Sequence, residues 1–287
     1  MNKAELSAKV SRLISGAPRG TITHTTGNFG RDEIGTVYFI QSAAQRETQR
    51  RIMRQKREGR KEAFFFSVME RMHYVASVLT PAQCGYLLVL TSHVDFDGQL
   101  IKSEKDPTPM TPACMQKTLK LTSTKRRTFY DFMDACLDHG IIKRKDDAYY
   151  IEQGFHFRGK TEGERVVRTY IAQLREMYKE VNAHDIGLLY RLLPFIHVDT
   201  NILCANPNEK NPSAVVKFNR KSLAEAIGVT PQVISRATSR MIYDGKSVFA
   251  KVSTATDGTF YMLNPSIFRR ADRDDYDVTT RVIFGLN

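Results

Sequence analysis

The chain has 287 residues, 41% of them hydrophobic and 26% charged, which is typical of a soluble globular protein with a sizeable core. No apolar run approaches the ~18 residues of a membrane span, and the N-terminus lacks the apolar stretch of a signal peptide. We therefore expect a cytoplasmic protein without a membrane partner. The net charge of +12 favours a polyanionic partner such as nucleic acid, and the four cysteines lack a metal-binding spacing.

Residues 1–62 are predicted to form an N-terminal arm, with a strand at 36–40 and a strongly basic helix over 45–61. Charge lies almost all around this helix, so burial of an apolar face would not hold it in place. It is either a solvated connector or an arm that follows DNA phosphates, and both interpretations stay open. The cations of the arm are Arg50, Arg51, Arg54, Lys56 and Arg57.

Residues 63–160 are predicted to form a first winged helix-turn-helix domain. Over 119–151 the pattern indicates a helix that ends at Gly140, then a β-hairpin that turns at Asp146-Asp147. In this class of domain the second helix enters the major groove and the hairpin is the wing. The residues expected to face the core are Phe129, Phe132, Met133, Cys136 and Leu137. The predicted DNA contacts are Ser123, Thr124, Lys125, Arg126, Arg127 and Tyr130 on the helix, with Lys143, Arg144 and Lys145 on the wing.

Residues 161–182 are predicted to be a linker helix between the two domains. Its apolar stripe consists of Val166, Tyr170, Leu174 and Met177. Such a stripe packs either on the domains of its own chain or on a second copy, so a homodimer stays open.

Residues 183–271 are predicted to form a second winged helix-turn-helix domain, followed by a tail over 272–287 that starts acidic and ends strand-like at 282–284. Thr230 and Pro231 are typical of a helix start, and the helix is expected to end at Gly245. Its predicted apolar face consists of Val233, Ile234, Ala237, Met241 and Ile242. The predicted DNA contacts are Thr230, Gln232, Val233, Ser235, Arg236, Ser239 and Arg240 on the helix, with Lys251 on the wing.

An internal repeat supports the two-domain interpretation. Residues 85–101 align without gaps on 187–203, with Gly85 on Gly187 and Leu87 on Leu189. A repeat of about a hundred residues indicates a duplicated domain, because solenoid repeats have periods of ~20–50 residues.

Motifs for catalysis are lacking in the sequence. Gly245-Lys246-Ser247 forms half of a phosphate-binding loop, but position 240 is Arg where a glycine is required. His184-Asp185, His197 and Asp199 have no third ligand at a recognisable spacing, so we interpret them as structural. We expect no enzymatic activity, no cofactor and no metal.

The sequence LAEAIGVTPQVISRATSRM, followed by a wing and FYMLNPSIF, resembles the winged-helix domain of RepL-type plasmid and phage replication initiators of Firmicutes. The resemblance covers 215–270 and extends more loosely to 110–160, where YYIEQGFHFRG replaces the Tyr/Ile–Asn-Pro–Phe-Gly motif of the family. It does not reach residues 1–62. It implies origin recognition without an ATPase or nuclease domain, and recruitment of host replication proteins. Phage and plasmid transcriptional regulators share these motifs.

The expected fold class is mainly α with small β-hairpins (α+β), with tandem winged helix-turn-helix domains joined by a helix. The expected function is sequence-specific binding of double-stranded DNA as a plasmid or phage replication initiator, associated with the nucleoid or plasmid. One alternative is a transcriptional repressor or activator with the same mode of binding, which would contact transcription proteins. The other is an interaction scaffold that does not bind DNA.

Overall fold

The structure is a computed structural model that describes residues 21, 23–26, 29–31, 33, 37–39, 62–255, 258–271, 276 and 278–286. The chain divides into two compact units, 1–61 and 62–287. The predicted basic helix, with Arg50, Arg51, Arg54, Lys56 and Arg57, lies outside the described residues. Within the described part, no helix combines the length and apolar character needed to cross a bilayer.

In the first unit, three short strands form an antiparallel sheet in chain order. They are β1 (Thr23–Thr26), β2 (Phe29–Arg31) and β3 (Val37–Phe39). Strand β2 lies in the middle, with its Phe29 opposite Phe39 of β3. Strand β3 confirms the strand that the sequence predicts at 36–40.

The second unit begins with the segment 64–157, which we call the first copy. Its elements are β4 (Phe64–Val68), α1 (Met69–Val78), α2 (Pro81–Thr91), α3 (Pro112–Thr118), α4 (Arg126–Asp138), β5 (Ile142–Lys145), β6 (Ala148–Ile151) and β7 (His156–Phe157). A 3-10 turn at Ser123–Lys125 leads into α4. Helices α2 and α3 each start at a threonine cap followed by proline, which satisfies a free backbone N–H and suits the first helical position.

The segment 166–269, which we call the second copy, repeats this order with one additional hairpin, at 242–247, after its fourth helix. Its elements are β8 (Val166–Tyr170), α5 (Ile171–Glu180), α6 (Ala183–Leu192), α7 (Arg220–Ala226), α8 (Pro231–Arg240), β9 (Ile242–Tyr243), β10 (Lys246–Ser247), β11 (Phe249–Thr254), β12 (Gly258–Leu263) and β13 (Phe268–Arg269). Short 3-10 turns lie at Leu193–Phe195 and Pro212–Ala214. Helix α9 (Val278–Phe284) follows the copy.

The first three elements of the two copies correspond at a constant spacing. Strand β8 begins 102 residues after β4, and both have five residues. Helix α5 begins 102 residues after α1, and both have ten residues, while α6 begins 102 residues after α2. The repeat seen at 85–101 and 187–203 is therefore part of a longer structural repeat that starts at Phe64 and Val166.

The two copies join through one four-stranded sheet in the order β13–β8–β4–β7. Strands β4 and β8 pair antiparallel, and Phe66 lies opposite Arg168, which is its counterpart 102 residues later. On the outer edges, β7 places Phe157 opposite Phe66 and β13 places Arg269 opposite Arg168. Antiparallel pairing centred on two equivalent residues relates the copies by an approximate two-fold axis through this pair.

Helices α2 and α6 cross on the same axis. A Cβ on Gly85 would overlap the carbonyl oxygen of Ala183, and a Cβ on Gly187 would overlap that of Pro81. Ala183 and Pro81 are themselves equivalent, each being the first residue of its helix. The absence of a side chain at both glycines allows the two backbones to touch.

One continuous hydrophobic core extends through both copies. It includes Phe65, Leu88 and Phe132 of the first copy and Leu189, Ile234 and Phe249 of the second. A smaller cluster joins Phe284 of α9 to the other face of the β11–β12 hairpin, the face opposite to Phe249. The fold is mixed α+β, which confirms that part of the expected class. The division of 62–287 into separate winged-helix domains stays a prediction.

The predicted linker helix over 161–182 is wrong in its first half, because Val166–Tyr170 is a strand. Val166 and Tyr170 match a helical stripe, but Val166, Val167 and Thr169 are β-branched and pair readily in a sheet. Strand β8 bonds to β4 on one side and β13 on the other, so tertiary pairing overrides the helical spacing. Only Ile171–Glu180 is helical.

The predicted end of the second copy's helix at Gly245 is also wrong. Helix α8 ends at Arg240, and β9 and β10 form a tight hairpin around Asp244-Gly245. Both turn residues have positive φ, at 50° and 67°, which an Asp-Gly pair accommodates in a two-residue turn. Ile242, predicted to face the core, is 46% exposed as a result.

The strand-like end predicted at 282–284 is a helix in the structure. In α9, Thr280 and Phe284 lie four residues apart and are both buried, whereas Val278 and Val282 are exposed. Burial of one helical face against the β11–β12 hairpin therefore outweighs the β-propensity of Val282 and Ile283.

Candidate nucleic-acid interface

The second helix of the first copy, α4, separates a buried face from a charged one. Phe129, Phe132, Met133 and Cys136 are buried, as the sequence predicts, and Leu137 is partly buried. Thr124, Lys125, Arg126, Arg127 and Tyr130 are all exposed at or near its N-terminal end. The range 124–130 therefore presents five predicted contact residues to solvent. Ser123 lies in the 3-10 turn just before them.

The arginines at this end of α4 make only weak contacts with neighbouring side chains. The Arg126 guanidinium lies 5.7 Å from the Tyr130 ring centroid, so these two side chains are neighbours on the surface of the helix. The Arg127 Nε lies 4.0 Å from Asp131 Oδ2, and the Arg127 side chain is 93% exposed, so this ion pair contributes little. Both guanidinium groups can reach a phosphate or a base edge.

Charge changes sign along α4. Its first turn contains no acidic residue, while Asp131, Asp134 and Asp138 are exposed further along the helix. DNA would therefore be attracted to the N-terminal end and repelled from the C-terminal end. In helix-turn-helix proteins it is the N-terminal end of the second helix that contacts bases.

The first hairpin places three predicted cations on one strand. Lys143, Arg144 and Lys145 of β5 are exposed. Lys143 forms an ion pair with Glu152, and Arg144 lies 3.7 Å from Asp147 and 5.7 Å from the Tyr149 ring centroid. Lys145 has no ion pair among the contacts of the described residues.

The second copy presents α8 in the same way. Ile234 and Ala237 are buried, Val233 and Ser235 are partly buried, and Gln232, Arg236 and Ser239 are exposed. Thr230 holds the cap position and Pro231 the first helical position, although the Thr230 hydroxyl accepts no cap hydrogen bond. Lys251 is exposed on β11.

Arg240 has a partner that the sequence does not reveal. Its guanidinium donates from Nε to Asp185 Oδ2 at 2.8 Å and from the terminal nitrogen to the second carboxylate oxygen. The Asp185 side chain is only 3% exposed, and this hydrogen bond raises the pKa of Arg240. The pair ties the end of α8 to the first turn of α6, so we interpret Arg240 mainly as a structural residue.

Arg220 belongs to this surface, although it is not among the predicted contacts. Its guanidinium donates to Ser235 Oγ at 3.3 Å and is exposed at the start of α7. Asn219 caps this helix by accepting from the backbone N–H groups of Lys221 and Ser222. The polar run Asn219–Ser222 is the signal that could have found it, because the first helix of a helix-turn-helix crosses the DNA backbone.

The isolated histidines and aspartates make structural contacts. His197 Nε2 lies 2.6 Å from the Glu209 carbonyl oxygen, and its Nδ1 lies 3.1 Å from the Thr200 hydroxyl. The Asp199 backbone N–H lies near the same nitrogen. Among the residues that the structure describes, no group of His, Cys, Asp or Glu has the arrangement of a metal site.

Comparison with protein-family models, with curated proteins and with solved structures found no match for this chain. The functional argument therefore depends on the chain's own geometry and charge.

Proposed function

We propose that this protein binds double-stranded DNA sequence-specifically through two winged helices, as a replication initiator of a plasmid or phage. The observation that carries the proposal is the repeated order of helix, turn, helix and hairpin, each copy with an apolar inner face and an exposed polar outer face on its second helix. Helices α4 and α8 have the size that fits the major groove. The net charge of +12 supports a polyanionic partner.

The two surfaces supply different chemistry within this function. Lys125, Arg126 and Arg127 of the first copy form a cluster suited to phosphate contacts. Gln232, Arg236 and Ser239 of the second copy have the side chains that read base edges, since Gln pairs with adenine and Arg with guanine. The protein recruits other factors to bound DNA and performs no catalysis itself.

Binding of the full chain to labelled fragments of the neighbouring genome tests this function. We expect one or a few fragments to bind, with an affinity that falls by orders of magnitude between 50 and 200 mM salt. Protection mapping then locates the site. A protected site inside a replication origin would support the proposed role in replication initiation. A protected site that overlaps a promoter would instead indicate a transcriptional regulator.

If no fragment showed salt-sensitive binding, the proposal would be contradicted. The remaining alternative would be an interaction scaffold that does not bind DNA. The matched pair of variants is Arg236→Ala and Arg71→Ala, since both remove one exposed arginine from a helix. Arg236→Ala should weaken binding and relax specificity by about 1–3 kcal/mol, whereas Arg71→Ala should leave both unchanged.

A further inference from the structure

The orientation of the two copies bears on the symmetry of the DNA that they would bind. Strands β4 and β8 pair about Phe66 and Arg168, and helices α2 and α6 touch at Gly85 and Gly187. In each case, the residues in contact are equivalents 102 positions apart. The same approximate two-fold axis therefore passes through the sheet and through the helix crossing.

Both second helices attach to the helices that cross on this axis. In the first copy, Gln83 Nε2 of α2 donates to the Asp131 carbonyl oxygen of α4 at 3.4 Å, and the rings of Tyr86 and Phe132 lie 5.7 Å apart. In the second copy, Asp185 of α6 accepts from Arg240 of α8. Gln83 and Asp185 are again 102 residues apart, so each copy uses an equivalent position of its crossing helix, although it contacts the middle of α4 and the end of α8.

This chain of contacts gives the scale of the separation between the two second helices. The path α4–α2–α6–α8 has three helix-to-helix steps, and helices that pack against each other lie about 8–10 Å apart at their closest approach, so the three steps add up to about 24–30 Å before any displacement along the helix axes. The exposed residues that would contact DNA extend beyond the helix axes. The separation is therefore comparable to one turn of B-DNA, about 34–36 Å, which is the half-site spacing of two-fold symmetric helix-turn-helix dimers.

We propose that a single chain binds an imperfect inverted repeat, with one half-site for each copy and half-site centres about one helical turn apart. This proposal rests on the proposed function and names the class of DNA that the function requires. Each surface is attached to an equivalent position on one of the two helices that cross on this two-fold axis, and such an arrangement matches two half-sites related by a two-fold axis. A direct repeat would require one copy to turn by about 180°, which the shared sheet and shared core prevent.

The repeat is imperfect because the two helices differ in length and chemistry. Helix α4 has 13 residues and starts with a cluster of cations, while α8 has 10 residues and exposes Gln232, Ser239 and Arg236. Arg236 forms no ion pair with the residues that the structure describes. The first-copy half-site is held mainly through phosphates. The second-copy half-site is read mainly through base edges, so its sequence is the more constrained of the two.

In vitro selection with the full chain, followed by binding to altered sites, tests the proposal. The altered sites are the selected site with one half reversed, with 5 base pairs inserted between the halves, and with either half replaced by random sequence. We expect one chain per selected site by analytical ultracentrifugation. Each alteration should lower affinity by about 100-fold or more, because linked half-sites gain 10²–10⁴ over a single one.

Two variants identify which half-site each copy of the protein binds. Arg236→Ala should relax base preference in one half only, and Lys125→Ala with Arg126→Ala should weaken binding without changing that preference. Equal affinity for the reversed site, full affinity for one half-site, or two chains on each selected site would overturn the proposal while the proposed function stands. Failure to select any DNA would overturn both.

Discussion

At the scale of single residues, Arg240 shows how a polar face can mislead. In the sequence it has the same spacing as Gln232 and Arg236, so all three are predicted DNA contacts. In the structure its guanidinium binds the buried Asp185 carboxylate, 55 positions earlier in the chain. Spacing along one helix identifies which residues share a face. Contacts with another helix determine which of those residues remain free to bind DNA.

Arg240→Ala should therefore act mainly on stability. After this substitution, the Asn182 side chain is the side-chain hydrogen-bond donor that remains for the buried Asp185 carboxylate among the described residues. We expect this loss to lower the unfolding free energy by about 1–3 kcal/mol. Arg236→Ala removes an exposed side chain from the same helix and should change stability by less than about 0.5 kcal/mol. Urea unfolding of the two variants measures the difference. Equal stability of both would show that the pair with Asp185 contributes nothing.

His156 gives the fold a pH dependence. Its ring lies in the interior, 2.9 Å from Ser67 Oγ and 3.1 Å from the Tyr190 hydroxyl, and burial lowers its pKa to about 3. An unfolded chain protonates this ring near pH 6.5, so the unfolded state binds the extra proton first and stability falls as the pH drops below that value. Burial, with a smaller effect of Arg175, also lowers the pKa of His93 to about 4.

Between pH 6.5 and 4, His156 alone should remove about 1.4 kcal/mol of stability for each pH unit. His156→Asn keeps a hydrogen-bonding group that does not titrate. The unfolding free energy of this variant should therefore fall less steeply as the pH drops over this range. Chemical unfolding at a series of pH values compares the slopes. Identical slopes for the wild type and the variant would refute a neutral buried His156.

At the scale of elements, the sequence predicts faces better than it predicts boundaries. The buried face of α4 and the hairpin turn at Asp146-Asp147 follow from local patterns and agree with the structure. The predictions for strand β8 and helix α9 are wrong because segments elsewhere in the chain determine both conformations. Strands β4 and β13 pair with β8, and the β11–β12 hairpin packs against α9. The hairpin at Asp244-Gly245 has a local signal, the Asp-Gly pair, but a glycine at this position also fits the end of a helix.

The crossing of α2 and α6 depends on two residues without side chains. Gly85→Ala or Gly187→Ala would push a methyl group into a backbone carbonyl of the other helix, which flexible side chains cannot relieve. Each should lower the unfolding free energy by about 1–3 kcal/mol or more. Gly154→Ala is the matched control, since nothing lies within 4 Å of the added carbon, and it should be nearly neutral. Thermal unfolding of the three variants tests this, and a stable Gly85→Ala would contradict the close crossing.

At the scale of the whole molecule, the sequence predicts the duplication but not how the copies meet. The gapless match of 85–101 with 187–203 reveals two related segments. The shared sheet, the two-fold axis and the common core are long-range features, and no local pattern encodes them. Two copies held in one rigid core present both second helices in fixed positions, which is the basis of the proposed DNA binding.

The central claim is that both copies contact DNA, and the salt dependence of binding tests it most directly. Each phosphate contact contributes about 0.9 to the slope of log K against log salt. One variant replaces Lys125, Arg126 and Arg127 by alanine, a second replaces Arg220, Arg236 and Lys251, and a control replaces the exposed Arg71, Lys160 and Lys210. We predict that the first variant lowers the slope by up to about 2.7, that the second lowers it by up to about 1.8 because Arg236 contacts bases and only Arg220 and Lys251 contact phosphates, and that the control keeps the wild-type slope. Wild-type slopes for either of the first two variants would contradict the claim that both copies bind.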